Sequence, residues 1–142
     1  MRILFDTNVI LDVLLDREPH VEASARILYR VENGEVSGWL CATTVTTIFY
    51  FVAKAAGRDT ALTEIQKLFS LFEIATVNRP ILEGALVADF FDYADAVLHQ
   101  AARQVDAKAI VTRNSRHFKS SVLPVYTPGE LSEILALQTR KG

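Results

Sequence analysis

Asp6 closes the apolar run Ile3-Leu4-Phe5, and Asp92 and Asp95 stand three residues apart at the start of a later apolar-periodic stretch. An acid that ends a strand-like run and is followed at once by Thr7, Asn8 and a helical pattern stands where open parallel sheets bind ligands, in the crevice beyond the carboxyl ends of the strands. Carboxylates gathered in one place repel and raise one another's pKa, so a cluster of them is stable mainly when a divalent cation neutralises it. Oxygen-only donors suit Mg²⁺ or Mn²⁺. Asn114, just after the apolar run Ala109-Ile110-Val111-Thr112, adds a side-chain oxygen, and Arg113, Arg116, His117 and Lys119 around it suit a phosphate backbone. A plainer reading stays open: Asp6 or Thr7 caps one helix, Asp92 and Asp95 start another for about 1 kcal/mol in all, and the basic run is a solvated loop. His20, His99 and His117 are not spaced as a metal cluster, and Tyr50, Phe51, Phe90 and Phe91 read as core or interface rather than as base-stacking platforms.

Elements must hold these side chains in place, and hydrophobic periodicity supplies them. Residues 3–5 read as a strand and 7–15 as the helix after it. Arg17-Glu18-Pro19-His20 breaks the pattern, and Val21, Ala25, Leu28 and Val31 mark a second helix stopped by Asn33-Gly34. Residues 36–42 predict a second strand. Thr43 or Thr44 then caps a helix with the stripe Val45, Ile48, Phe49 and Val52, ending near Gly57, and Thr47 falls off that stripe. A helix over 60–72, with Leu62, Ile65, Leu68, Phe69 and Phe72 inward, leads to a third strand over 73–77, and Pro80 starts a helix to about Ala88. After the acidic and aromatic segment 89–96, a helix turns Val97, Ala101, Ala102 and Val105 inward. Residues 109–112 form a fourth strand, 113–119 a polar basic loop, and 123–126 a short edge strand carrying Pro124. Pro128 opens a terminal helix with Leu131, Ile134 and Leu135. Strands alternating with helices imply a parallel sheet covered on both faces.

Half of the 142 residues are apolar and 23% are charged, which fits one folded domain over residues 1–142. No run approaches the roughly 18 apolar residues of a membrane span and no leader pattern stands at the N-terminus, so a cytoplasmic protein with no membrane association is expected. Cys41 is alone, which excludes an internal disulfide and a cysteine-based zinc site, and it reads as a small buried residue. The net charge of −2 argues against a broadly basic surface that coats nucleic acid, while a local basic loop beside an acidic pocket is allowed.

Leu-Phe-Asp-Thr-Asn-Val-Ile-Leu-Asp (4–12), Asp-Tyr-Ala-Asp-Ala (92–96) and Ile-Val-Thr-Arg-Asn-Ser-Arg-His-Phe (110–118) resemble the three acidic motifs of PIN domains, the nuclease domains of VapC-type toxins. The likeness runs through the closing Leu-Pro-Val-Tyr-Thr-Pro. It implies a three-layer α/β/α sandwich with a central parallel sheet of four to five strands. It also implies an Mg²⁺- or Mn²⁺-dependent ribonuclease, often a homodimer and often held inactive by a small antitoxin. On that pattern Asp6, Asp95 and Asn114 are catalytic, Asp6, Asp92 and Asp95 hold the metal, and Arg113, Arg116 and Lys119 contact RNA. Thr7, Asn8, Thr47 and Thr112 support them.

The chain departs from the pattern at Thr47, where an acid is usual in the helix after the second strand. It departs again at Asn114 and His117, where relatives often carry Asp. The pocket is therefore expected to be less acidic than is usual, with weak divalent-cation binding. The runner-up reading is a catalytically weak or inactive PIN-like module that binds RNA or a protein partner. A third reading, a phosphate-handling enzyme with Asp6 as covalent nucleophile, lacks the Lys and Thr motifs that phosphoryl transfer requires.

Overall fold

Ile3 and Phe5 point to one face of the first strand and Leu4 to the other, and all three are fully buried. A strand buried on both faces belongs at the centre of a parallel sheet. The computed structural model describes residues 1–141. The chain runs β1 (Arg2–Phe5), α1 (Thr7–Leu14), α2 (Val21–Glu32), β2 (Ser37–Cys41), α3 (Ala42–Ala56), α4 (Arg58–Leu71) and β3 (Phe72–Ala75). It continues through α5 (Arg79–Leu86), α6 (Tyr93–Gln104), β4 (Ala109–Val111), a 3-10 turn (Ser115–Phe118), β5 (Val125–Tyr126) and α7 (Pro128–Lys141). The five strands are all parallel, in the order β3-β2-β1-β4-β5, with β1 in the middle. The expected α/β/α sandwich is thus formed, with the larger of the two expected strand counts.

One core holds the Ile3 and Phe5 face against Ile10 of α1, Ile27 of α2, Ile48 of α3 and Leu131 of α7. The other holds the Leu4 face against Ile81 of α5 and Ala96, Leu98 and Ala102 of α6. Phe72 meets Phe5 edge-on with ring centroids 5.1 Å apart. Its ring lies where a Cβ on Gly38 would come within 2.6 Å, so β2 carries a glycine at that point because the ring occupies the space. Among the described residues no helix is long and apolar enough to cross a membrane.

Three local readings change in the folded chain. Neither Thr43 nor Thr44 caps α3: β2 runs directly into the helix, Cys41 is the N-cap without a side-chain bond, and Thr44 is buried in the first turn. In α4 the inward row is Ala61, Ile65 and Leu68, while Leu62 and Phe69 are exposed. Phe72 belongs to β3 rather than to the helix, so it does not set the helix face. The basic run is not only a solvated loop either, because Phe118 is buried at the end of its 3-10 turn.

That run is also anchored by charge. Asp12 on α1 is completely buried, and Arg113 meets it with a two-pronged contact, Nε to Oδ2 at 2.5 Å and Nη2 to Oδ1 at 3.2 Å. Arg17 stands farther off, its Nη1 3.9 Å from Oδ1. The guanidinium fork matches a carboxylate in plane. Arg113, expected to contact RNA, is thus engaged in tying the segment after β4 to α1. Removing one partner of such a pair leaves a buried charge uncompensated, at a cost of about 3–5 kcal/mol. Arg113→Ala should therefore lower the unfolding free energy by roughly 3 kcal/mol in urea titration, and Arg116→Ala on the surface by under about 0.5 kcal/mol. Equal small losses would show that Arg17 neutralises Asp12 unaided.

Candidate active site

The strand order reverses beside β1, where β2 and β3 lie to one side and β4 and β5 to the other. Such a switch point opens a crevice at the carboxyl ends of the strands, and β1 ends there on Asp6. Asp6 N–H donates to the Val111 carbonyl at 2.9 Å, which stitches the two strand ends together. Its Oδ1 accepts from Thr7 N–H at 2.7 Å and so caps α1, and its Oδ2 accepts from the Thr112 hydroxyl at 2.8 Å and from Asn8 Nδ2 at 3.3 Å. Asp6 therefore caps α1 with one oxygen and is held by Thr112 and Asn8 through the other.

Thr7, Asn8 and Thr112 form a continuous net around Asp6. Asn8 Oδ1 accepts from Arg113 N–H at 3.2 Å, Thr112 Oγ1 accepts from Asn114 N–H at 3.0 Å, and the Thr7 and Thr44 hydroxyls are 2.9 Å apart. The Asp6 carboxylate is largely withdrawn from water. It is 8% exposed, and burial raises its pKa against the lowering effects of Thr112, the Thr7 N–H, His117 and Arg113.

Asp95, in the first turn of α6, lines the same cleft of about 330 Å³. Its pKa is pushed up to about 6, first by desolvation and then by the negative charges of Asp6 and Asp92, with His117 pulling the other way. His117 Nδ1 lies 3.7 Å from Asp95 Oδ2. Thr47 faces the cleft, as its place off the α3 stripe implies, but its hydroxyl donates to the Thr43 carbonyl at 3.2 Å. Asn114 also reaches the cleft.

Asp92, expected to hold the metal, does not line this cleft. Its Oδ1 accepts from Asp95 N–H at 3.0 Å, so it caps α6, and it borders an adjoining hollow with Arg116 and Lys119. Arg17 is a cleft residue that the motifs did not reveal. The stretch around it registers in the sequence only as a break between helices. A larger hollow of about 880 Å³ between α2 and α7 is walled by the ion pairs Arg26–Glu22 and Arg30–Glu35.

Among the described residues no group of three or more His, Cys, Asp or Glu is gathered to hold a metal ion. Two strained carboxylates with threonine and asparagine oxygens around them nevertheless fit a hard cation that keeps much of its water. Mg²⁺ is often bound in that way, through one or two carboxylates and the phosphates of a substrate. The absence of thiolates and of a histidine cluster does not fit zinc.

A PIN domain family model matches residues 2–116. No curated protein matches the chain. Among solved structures, a toxin–antitoxin complex from Klebsiella pneumoniae superposes with a TM-score of 0.68 at 21% identity, covering 89% of this chain and 97% of that one. VapBC2 from Rickettsia felis, bound to a promoter DNA fragment, gives 0.64 at 14% identity over 88% and 98%. Mycobacterium tuberculosis VapC20, a toxin that cleaves the sarcin–ricin loop, gives 0.61 at 12% identity over 76% and 86%. At these identities the likeness is one of fold.

The carboxylate strain has a measurable sign. Asp95 has a folded pKa of about 6 against 3.8 for the free side chain, so its ionisation opposes folding. Its favourable contribution is complete below about pH 4 and is lost as pH rises through about 6. In metal-free protein, Asp95→Asn should therefore gain stability over the native chain at pH 7 and show no such gain at pH 4, as read by denaturant titration at both values. A gain that does not change with pH would refute the electrostatic account.

Proposed function

The chain belongs to the PIN domain family, and from that premise we propose that it is a metal-dependent ribonuclease of the VapC type, the toxin of a toxin–antitoxin pair. The observation that carries this reading is the convergence of Asp6 and Asp95 on one cleft at the sheet's switch point, each with its pKa raised. Perturbed acids in a cleft are a mark of chemistry, because ordinary structural acids are kept in water or in ion pairs.

Asp6 and Asp95 would hold a Mg²⁺ or Mn²⁺ ion. When bound, that ion lowers the pKa of water and offsets the charge that grows on the scissile phosphate. The chain's own groups do the positioning. Thr112 and Asn8 fix the Asp6 carboxylate, and Asn114 is oriented by its N–H bond to Thr112. Arg17 brings positive charge to the cleft wall for the phosphate backbone. His117 Nδ1, 3.7 Å from Asp95 Oδ2, stands beside the carboxylate that would hold the ion. Asp6 is poorly placed as a covalent nucleophile, because both its oxygens already accept hydrogen bonds. The VapBC-type complexes among its structural relatives support a small antitoxin as protein partner. A homodimer in the cytoplasm completes the proposal.

The Thr47 hydroxyl, engaged with its own helix, favours a second reading in which the cleft binds RNA or a protein with little turnover. Cleavage separates the two. The purified chain should cut single-stranded RNA with Mn²⁺ and stop with EDTA, and Asp6→Asn, which keeps an acceptor for the Thr7 cap, should reduce the rate about 100-fold or more. RNA binding without cleavage at any Mn²⁺ concentration would establish the second reading.

Thr47→Glu adds a charged oxygen on the cleft wall, where the bound ion has only two carboxylates. It should tighten Mn²⁺ binding in calorimetric titration and raise the cleavage rate, while destabilising the metal-free protein through added like charge. Equal Mn²⁺ affinities would show that position 47 does not reach the ion.

A further inference from the structure

Beside the carboxylate cleft lies a second hollow of about 370 Å³, which shares Asp95 and His117 with it. It lies between the segment before α6 and the basic turn after β4, within the roughly 300–1,000 Å³ range of small-ligand clefts. Two adjacent phenylalanines behave differently there. Phe90 is folded inward, its ring 4.9 Å from His99 and 5.9 Å edge-on from Phe118, and it pins the segment to the core. Phe91 is turned fully into solvent, with a relative exposure of 105%. Arg116 and Lys119 border the same hollow, both exposed, and among the described residues neither forms an ion pair.

We propose that this hollow is the subsite for an unpaired nucleotide of single-stranded RNA adjoining the scissile phosphate, with its base stacked on Phe91 and its phosphate held by Arg116 and Lys119. The inference rests on the ribonuclease reading of the neighbouring cleft and adds a base-binding subsite to it. An exposed aromatic face beside unpaired cations is the arrangement that holds single strands, because every base has a face to stack and every linkage a charge to meet. Asp89 and Asp92 also line the hollow and repel a phosphate from its interior, so the uncharged base is the part that enters. A duplex keeps its base faces within the stack, so it does not reach Phe91. Leu86 and Val87 are exposed on the preceding helix end as well, but the cations around Phe91 suit a nucleic acid better than an apolar protein surface.

The test is fluorescence anisotropy on the full chain, with EDTA present so that no strand is cut. The probes are a single-stranded oligoribonucleotide, the corresponding duplex, and a sugar–phosphate strand of equal length without bases. Phe91→Ala should weaken oligonucleotide binding about tenfold and leave binding of the abasic strand and the duplex unchanged. Arg116→Ala with Lys119→Ala should weaken binding of both single strands and flatten its salt dependence. Phe91→Trp should keep the affinity, and its added fluorescence should be quenched by the oligonucleotide and not by the abasic strand. Phe91 has no packing role, so these variants fold. If the native chain cuts RNA with Mn²⁺ but Phe91→Ala binds the oligonucleotide as tightly as native, the subsite is overturned while the ribonuclease reading stands, and Phe91 then belongs with Leu86 and Val87 to a protein-docking surface. A native chain that neither binds nor cuts RNA removes both.

Discussion

A carboxylate buried where a strand ends needs hydrogen bonds on both oxygens, and much of the junction between β1 and β4 is arranged to supply them to Asp6. The Thr7 N–H serves one oxygen, and the Thr112 hydroxyl and the Asn8 amide serve the other. Those donors are themselves held. Asn8 accepts from the Arg113 backbone, Thr112 accepts from that of Asn114, and Arg113 reaches down to Asp12 on the helix that Asp6 caps. Hydrogen bonds to the charged form lower a carboxylate's pKa, yet burial outweighs them at Asp6. The net therefore fixes the geometry of an acid without fully relieving the cost of its charge.

Asp95 adds to that cost. It feels Asp6 and Asp92 through a partly desolvated cleft, and only His117 opposes them. A structure selected for stability alone would not gather acids there, and proteins commonly give up stability at sites that bind or react. Asp12 shows the alternative outcome, a buried acid with a guanidinium against both oxygens. Among the described residues the chain thus sets a guanidinium against Asp12, which anchors α1, and none against Asp6, which caps the same helix and faces the cleft.

The basic segment after β4 divides its labour in the same manner. Arg113 is turned into the protein, Phe118 is buried, and Arg116 and Lys119 remain on the surface. The two anchors give Arg116 between them and Lys119 next to them a defined position beside the acidic cleft. That is how a protein with a net charge of −2 can offer a local surface to a polyanion.

The order of strands and helices, the parallel sheet and the position of Asp6 at the end of β1 were written in the sequence. They depend on short-range signals: apolar period, Asn-Gly and proline punctuation, and an acid at the change from period two to period 3.6. The meeting of Asp6 with the start of α6 was legible too, through the motifs that surround it. The tertiary structure alone decided that Ala61, and not Leu62 or Phe69, joins Ile65 and Leu68 on the inward row of α4, because one residue along a helix is a rotation of about 100°. It alone sent Phe90 inside and Phe91 out, two residues of one type side by side. It also decided that Arg113 belongs to Asp12 across 101 positions of sequence, that Asp92 serves as a cap, and that Arg17 stands at the cleft. Backbone preference is a property of neighbours along the chain, whereas the partner of a side chain is set by what the folded layers bring against it.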